Sequence, residues 1–523
     1  MESIVRFLVL LGCLTFSSQI STPADDYYWA GVVEFDYTDK EDLPPANYTA
    51  QAIQRYASII NSVEADPVDI LVFPEYGLSS SEMASFVPDP RDRIAPCNLL
   101  HYEPVVRDMS CLARHRRKYL VVNLVEKARC PEPFDDRPCP SDELYRFNTN
   151  VVFDRHGTVI GKYRKFNLYD EGGLNITAIP EIVSFETDFG VTFGTFTCYD
   201  LIFEEPAIQM VRNGVTDFIF TSMWFSQLPF LTAVQIQQAW AYANNVNLLA
   251  SGASQPDLGS TGTGIYAGRR GRIVSVMNHK AEEKLYVARV PKRDRFGLPL
   301  EQQPKIQFTP SEMDDLKLKR DAIDIYETEL LPMESNSSYR KTLCQNGLCC
   351  DFALNYTVLE VEPDQDFYRY RFAVREGRRV FNGNREGLIS VCAIMACSGD
   401  TLETCAVRFP NSSTVANSVL FNGLHIEGVF SGSAQMFTLP NSVDTSLLPL
   451  EVDKFEYIER VFTDDFELMK EIQFRLLEPR QDLLTFAIWG RKFVRMNSGC
   501  KANKISVLLL FVVTVFSIIR SKI

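Results

Sequence analysis

A carboxylate, an amine and a thiol each close an apolar stretch of this chain. Glu75 ends Ile70-Leu71-Val72-Phe73-Pro74-Glu75, and Cys198 ends Val191-Thr192-Phe193-Gly194-Thr195-Phe196-Thr197-Cys198. Lys165 follows the strand-like Val151-Val152-Phe153 and a turn, inside Lys162-Tyr163-Arg164-Lys165-Phe166-Asn167. Such a set can carry out nucleophilic attack without an imidazole. The thiolate is the attacking form of a cysteine. A carboxylate within hydrogen-bond reach can take the thiol proton. A protonated lysine can stabilise the oxyanion that develops on the attacked carbonyl. The peptide N–H of Tyr199 would add a second donor if Cys198 sits on a tight strand-to-helix turn. The five histidines, at 101, 115, 156, 279 and 425, leave a Cys-His hydrolase a poor fit, and this chemistry calls for neither metal nor cofactor.

Taken singly, each residue has a plainer reading. A strand-end Glu usually caps a turn. A lone loop lysine is usually solvated, and a lone cysteine in an apolar strand is usually an inert buried thiol. The catalytic reading rests on three specific local contexts occurring together.

The elements that must position them read as alternating strand and helix. Ile53, Tyr56, Ile60 and Val63 lie at helical spacing before a strand at 69–73. Residues 104–115 read as a helix and 119–125 as a strand. Glu205-Pro206 opens a helix that stops near Asn213-Gly214, with strand 217–221 next. Ala233, Ile236, Trp240 and Ala243 mark one face of a further helix, followed by strand 247–250. Apolar strands alternating with helices predict an α/β domain with covered sheets. The basic run Arg114-His115-Arg116-Arg117-Lys118 suits the end of the helix it terminates. Gly259-Ser-Thr-Gly-Thr-Gly264 lacks the lysine and spacing of a phosphate loop and reads as a flexible loop.

Beyond residue 310 the pattern changes. The charged segment 314–334 reads as a linker or exposed helix. Short alternating strands follow at 356–361, 367–374, 388–395, 457–462 and 474–477, separated by turns and cysteines. This predicts a smaller, β-rich, disulfide-stapled domain.

The termini point to export. Arg6 precedes the apolar run from Phe7 to Leu14, so residues 1–24 read as a secretory signal. Near the other end, Asn497-Ser498-Gly499 precedes a polar spacer and the apolar run from Ile505 to Ile519. Small residues, spacer and apolar tail form a GPI-anchor signal, with attachment at Asn497 or Ser498; a short tail-anchor helix with Arg520 and Lys522 as its cytoplasmic stop is the other reading. Both runs are short for a membrane span, which takes ~20 apolar residues. Sequons at Asn47, Asn175, Asn336, Asn355 and Asn411 fit an extracellular glycoprotein.

Of thirteen cysteines, Cys13 leaves with the signal and Cys500 with the tail. The odd remainder requires at least one free thiol, and Cys198 is the natural one. Cys97 with Cys111 and Cys130 with Cys139 form close pairs. The connectivity of Cys344, Cys349, Cys350, Cys392, Cys397 and Cys405 stays open. The formal charge of −14 becomes −18 when the tail takes Lys501, Lys504, Arg520 and Lys522, the signal's Glu2 and Arg6 cancelling. Such a chain is a poor partner for nucleic acid.

The three segments carry a resemblance. Phe73-Pro74-Glu75, the stretch from Lys162 to Leu168, and Phe196-Thr197-Cys198-Tyr199-Asp200-Leu201-Ile202-Phe203 resemble the active-site segments of the nitrilase superfamily. Ser222-Met223-Trp224, Leu228-Pro229-Phe230-Leu231-Thr232-Ala233, Asn247-Leu248-Leu249-Ala250-Ser251 and Thr261-Gly262-Thr263-Gly264-Ile265-Tyr266 are similar to its secreted vanin and biotinidase branch. The resemblance implies a four-layer α-β-β-α sandwich over residues 25–310 and a vanin-type domain over 311–497, ahead of the tail at 498–523 that the anchor signal marks for removal. It also implies amide hydrolysis through a cysteine thioester, with Glu75 as base, Lys165 as oxyanion stabiliser and Cys198 as nucleophile. Pantetheine is the expected substrate and biocytin the alternative, with Tyr199 and Trp224 as candidate pocket walls. An idle surface recognition protein is the reading from another class, and the intact triad speaks against it. The pair Asp170-Glu171 departs from the wording of the branch. Glu171 reads as a solvated loop residue, with orientation of Lys165 as its other reading.

Overall fold

The computed structural model describes residues 20–493, apart from 41, 133–134, 294–297, 301–303, 383–384, 433–435 and 465–466. Residues 1–19 of the expected signal, with Cys13, and the attachment residues Asn497 and Ser498, Cys500 and the apolar tail lie outside the described residues; residues 20–24 are described, and the buried Ser21 donates its N–H to Asp69 at 3.1 Å.

The first half runs β1 (Tyr27–Glu34), α1 (Pro45–Ile60), β2 (Ile70–Val72), α2 (Pro104–Arg116), β3 (Tyr119–Arg129), β4 (Leu144–Phe153) and β5 (Val159–Arg164). It continues with β6 (Ser184–Glu186), β7 (Thr192–Thr197), α3 (Gln209–Arg212), β8 (Asp217–Ser222), β9 (Gln227–Leu228) and α4 (Ala233–Asn244). Last come β10 (Asn247–Gly252), β11 (Thr263–Ala267), β12 (Arg272–Val276) and β13 (Lys284–Pro291).

Two six-stranded sheets result, in the orders β13-β1-β2-β3-β4-β5 and β12-β11-β10-β8-β7-β6. Each has a parallel centre, β1-β2-β3 in one and β7-β8-β10 in the other, flanked by antiparallel strands. The sheets pack face to face through Ala30, Ile70, Val121 and Val152 from one and Phe193, Ile219, Leu249 and Ile265 from the other. On the outer face of the first sheet, Ala52 and Tyr56 of α1 and Val106 and Met109 of α2 cover Leu71, Leu120 and Val122. On the outer face of the second, Trp240 of α4 packs on Phe196 and Phe218. These are the four α-β-β-α layers expected from the sequence.

The second half begins with β14 (Lys319–Arg320), which pairs with β9, and β15 (Glu327–Leu330). Then come β16 (Asn336–Gln345), β17 (Leu348–Val358), β18 (Arg369–Asn382), β19 (Arg385–Cys397) and β20 (Val419–Ser431). The last four are β21 (Met436–Asp444), β22 (Phe455–Asp464), β23 (Glu467–Leu476) and β24 (Leu483–Lys492). They make two five-stranded sheets, β15-β18-β19-β24-β21 and β16-β17-β20-β23-β22. The Cys350–Cys392 disulfide ties β17 of one to β19 of the other. The remaining bridges are Cys97–Cys111, Cys130–Cys139, Cys344–Cys349 and Cys397–Cys405, and Cys198 is the free thiol among the described residues.

Three expectations need correction. Residues 314–334 form no α-helix; they hold β14, the 3-10 turn Ile323–Ile325 and β15. Their charges are spent on cross-links: Asp314 accepts from the Ser412 backbone at 2.9 Å, and Asp321 pairs with Arg379 at 2.7 Å. The C-terminal strands are not short, since β16 to β24 run from nine residues in β21 to fourteen in β18. Glycine and charged residues inside them (Gly377, Arg378 and Arg379 in β18) hide that continuity from a periodicity search. The stretch from Gly259 to Gly264 is buried, not a flexible loop. Gly262 (φ +121°) passes so close to α4 that an added Cβ would lie 2.4 Å from the Cβ of Ala233.

Helix α4 is the shared layer of the molecule. Residues 233–241 are buried throughout, because the second sheet lies on one side and the C-terminal domain on the other. Two of its glutamines therefore find partners across the junction, while Gln237 donates to the Gly262 carbonyl on the sheet side. Gln235 donates to Asn441 at 2.6 Å and Gln238 to the Leu450 carbonyl at 2.6 Å. A buried amide left without such a partner costs about 1–3 kcal/mol.

Candidate active site

Glu75, Lys165 and Cys198 arrive from three directions, past the carboxyl ends of β2, the edge strand β5 and β7. Such strand ends are where open α/β sheets commonly place ligands. Glu75 lies three residues beyond β2, Lys165 directly follows β5, and Cys198 directly follows β7. Their relative exposures are 1%, 1% and 5%. The Lys165 ammonium donates to Glu75 Oε1 at 2.7 Å. Asn148 Nδ2 donates to the same oxygen at 2.7 Å. The backbone N–H of Met223, just past β8, donates to Glu75 Oε2 at 2.8 Å. The carbonyl of that same residue lies 3.6 Å from Cys198 Sγ and accepts from the thiol. One peptide segment thus holds both the carboxylate and the nucleophile candidate.

Glu171 is not a solvated loop residue. Its side chain is 10% exposed, and Oε1 accepts from the Lys165 ammonium. Its Oε2 accepts from the Tyr76 hydroxyl at 2.7 Å and from Asn148 Nδ2 at 3.1 Å. The flanking Asp170, Gly172 and Gly173 do belong to a surface turn. Asp170 adopts φ +58°, and the turn sends Glu171 inward. Lys165 thereby sits between two carboxylates. Burial alone would lower its pKa, but Glu171 and then Glu75 hold the amine well above its usual range, so it stays an ammonium. Glu171 is itself buried, which opposes ionisation, yet Lys165 holds its carboxyl below the usual value. Cys198 is pushed the other way, first by burial and then by Glu75, with Lys165 opposing. The resting site therefore holds a thiol, an ammonium at Lys165 and an ionised carboxylate at Glu171.

Cys198 takes φ +46°, a left-handed conformation that non-glycine residues rarely adopt and that tends to cluster at functional sites. It opens a 3-10 turn, Cys198–Ile202, with Tyr199 as its second residue. The first N–H groups of such a turn have no partner within it, which leaves the Tyr199 peptide available as a donor. Asp200 braces this turn. Its Oδ2 accepts from the Thr197 backbone at 3.1 Å and from the Tyr163 hydroxyl at 2.7 Å. Its Oδ1 accepts from the Asn167 backbone at 3.0 Å and from Asn167 Nδ2 at 2.8 Å. One buried carboxylate thus ties the segment carrying Lys165 to the segment carrying Cys198. Sequence reasoning missed this clamp, although Tyr163, Asn167 and Asp200 all lie close to Lys165 or Cys198 along the chain. It missed Asn148 as well, which nothing in the sequence distinguishes from Asn150 on the same strand or Asn123 on β3.

A second buried polar network lies beneath the site, between the sheets. Asn123 Nδ2 donates to Asn148 Oδ1 at 2.6 Å and to Asn150 Oδ1 at 2.9 Å. Asn150 Nδ2 donates to Thr195 at 3.0 Å, and Thr221 donates to Asn150 Oδ1 at 2.8 Å. A satisfied network of this kind fixes one arrangement of the strands it joins.

Above Cys198 is a pocket with mostly aromatic walls: Tyr169, Tyr199, Trp224, Phe225 and Phe381. Trp224 is fixed by its indole N–H, which donates to the Leu231 carbonyl at 2.8 Å. Tyr199 stacks edge-on against Tyr169 and Phe203. Both residues singled out from the sequence therefore line the pocket. Of the five sequons, Asn47, Asn336, Asn355 and Asn411 are exposed and Asn175 is half-buried.

A carbon-nitrogen hydrolase family model matches residues 43–294, and a vanin C-terminal domain model matches 316–496. The chain is 42% identical to Vanin-like protein 1 of Drosophila melanogaster, covering 93% of this chain and 89% of that protein. It is 30% identical to the biotinidase of Homo sapiens, over 82% of this chain and 84% of that protein. It is 30% identical to the pantetheinase of Canis lupus familiaris, over 77% of each chain.

Proposed function

The chain belongs to the carbon-nitrogen hydrolase family, in its vanin branch, and is a hydrolase of non-peptide carbon–nitrogen bonds; from that premise we propose that it hydrolyses pantetheine to pantothenate and cysteamine through a thioester on Cys198. The observation that carries this reading is the Glu75–Lys165–Cys198 cluster, withdrawn from solvent at the foot of an aromatic pocket.

In the proposed cycle, Cys198 Sγ attacks the amide carbon as its proton passes to Glu75. The oxyanion forms against the Lys165 ammonium and the Tyr199 peptide N–H. The carbon–nitrogen bond then breaks, and Glu75 returns the proton to the departing amine. Water attacks the thioester with Glu75 again taking a proton, which releases the acid and restores the thiol. The raised thiol pKa supports proton transfer during attack over a resting thiolate. Glu171 and Asn148 act by positioning Lys165 and Glu75.

Biocytin is the second reading, favoured by the similarity to human biotinidase. Incubating the protein with pantetheine and biocytin in parallel separates the two. Free cysteamine alone supports the first, and free biotin alone supports the second. We further propose export to the cell surface on a GPI anchor at Asn497 or Ser498. The terminal sequence pattern and five disulfides, which suit an oxidising compartment, support it. Release from cells by a GPI-specific phospholipase tests it, and retention on the membrane would contradict it.

A further inference from the structure

One wall of the pocket comes from the other half of the chain. Phe381 lies on β18 of the C-terminal domain, yet it lines the space above Cys198 together with Tyr199, Trp224 and Phe225. Its ring centroid stands 6.3 Å from that of Tyr199, with the planes at 68°. The ring is only half-buried, unlike the fully buried aromatics of the domain junction such as Trp240. A residue placed there for packing alone would be covered. This one keeps a face open to the pocket.

Two arginines hold that ring. The Arg379 guanidinium lies 4.4 Å from the Phe381 centroid and that of Arg491 lies 4.7 Å away, both inside the range of cation–π attraction. Each arginine is anchored across the junction. Arg379 Nε donates to Asp321 at 2.8 Å, and its Nη2 donates to Gln227, another pocket residue, at 2.6 Å. Arg491 Nε donates to the carbonyl of Ile202, in the turn that starts at Cys198, at 3.0 Å. Gly387 makes room for this, because a Cβ there would collide with the Arg491 guanidinium. Strand β14, paired with β9, runs beside Gln227 and carries the chain on to Asp321. Each arginine therefore ties Phe381 to a segment of the active site, Arg379 through Gln227 and Arg491 through the turn that starts at Cys198.

We propose that Phe381 is a specificity-determining residue, a wall against which the apolar part of a bound amide packs, with Arg379 and Arg491 as positioning residues. The C-terminal domain thereby completes the substrate site. The inference rests on the reading of Cys198 as the nucleophile of an amidase. The substrate class it implies is an amide with an apolar face next to the scissile bond, since Gln227 is the one non-aromatic polar side chain of the described lining besides Cys198.

The test uses the full-length protein with Phe381→Ala and Phe381→Leu. Truncation should raise KM for the hydrolysed amide about tenfold, in line with the worth of apolar contacts in a specificity pocket, with kcat little changed. Phe381→Leu should recover most of the loss. In parallel, Cys198 is alkylated with iodoacetamide, which is small, and with N-phenylmaleimide, which is bulky. Phe381→Ala should speed the bulky reagent several-fold relative to the small one. An unchanged KM with an unchanged reagent ratio would overturn the proposal. Equal acceleration of both reagents would overturn it too, because it would mark a loosened junction. If the wild-type protein hydrolyses neither pantetheine nor biocytin, the substrate reading fails, and the reagent ratio still decides for or against Phe381.

Discussion

Lys165 Nζ and Glu75 Oε1 stand 2.7 Å apart, with both side chains withdrawn from solvent. A buried pair of this kind is a weak source of stability, because desolvation offsets the attraction. The pair fits the proposed cycle, in which Glu75 accepts the thiol proton and the oxyanion forms against the Lys165 ammonium.

Replacing Lys165 with Met should lower kcat by about 10²–10³, the usual cost of losing one preorganised oxyanion donor. KM should change little. A variant altered only in KM would make the lysine a substrate-binding group, and steady-state kinetics on the hydrolysed amide distinguishes the two.

Glu171→Gln should lower kcat by roughly ten- to a hundredfold, the scale of one charge-assisted hydrogen bond. It leaves Lys165 with Glu75 as its remaining carboxylate partner. The alkaline limb of the pH–rate profile should move to lower pH, because one of the two carboxylates that raise the amine pKa is gone. An unmoved profile with full activity would return Glu171 to the role of a loop residue.

Stability should fall as pH rises from about 5 to 7. Glu34, at the end of β1, is fully buried, and burial raises its pKa from 4.5 to about 7, partly opposed by Thr261. The native state then binds more protons than the unfolded chain between those values, so stability is greatest at the acidic side and is lost as pH climbs through about 7. Asp444, raised by burial to about 7, acts in the same direction. Glu34→Gln keeps an acceptor for the Thr261 hydroxyl and should flatten the dependence of Tm on pH. An equally steep profile in the variant would clear Glu34 of the effect.

Removing the Cys350–Cys392 bridge by a double alanine substitution should cost about 4 kcal/mol in the chain-entropy picture, given the 42-residue separation. Urea denaturation followed by tryptophan fluorescence measures it. Thiol titration of the unfolded, unreduced protein adds a second check, since Cys198 is the free thiol among the described residues and should be the one alkylated.

What the sequence made legible follows from local order. Strands β2, β8 and β10 carry apolar runs, and β7 sets two phenylalanines among β-forming threonines, so the strand ends, and with them Glu75 and Cys198, stand out in the sequence itself. Cys97–Cys111 and Cys130–Cys139 pair across short separations and were readable for the same reason. The inward turn of Glu171 was not legible. Its neighbours are turn formers, and only the φ of Asp170 reverses its direction. Phe381 was equally hidden, because its meaning depends on a domain junction built with residues as distant along the chain as Tyr199 and Arg491. The buried glutamines of α4 look like a polar face until a second domain covers them.

The central claim is that Cys198 carries the acyl group. The measurement is turnover of pantetheine and biocytin by Cys198→Ala, with folding checked by far-UV circular dichroism and retention of all five described disulfides. The substitution removes the nucleophile without touching a bridge, so native structure with no turnover above the uncatalysed rate is the expected result. A correctly folded Cys198→Ala protein that still hydrolyses the wild-type substrate would contradict it.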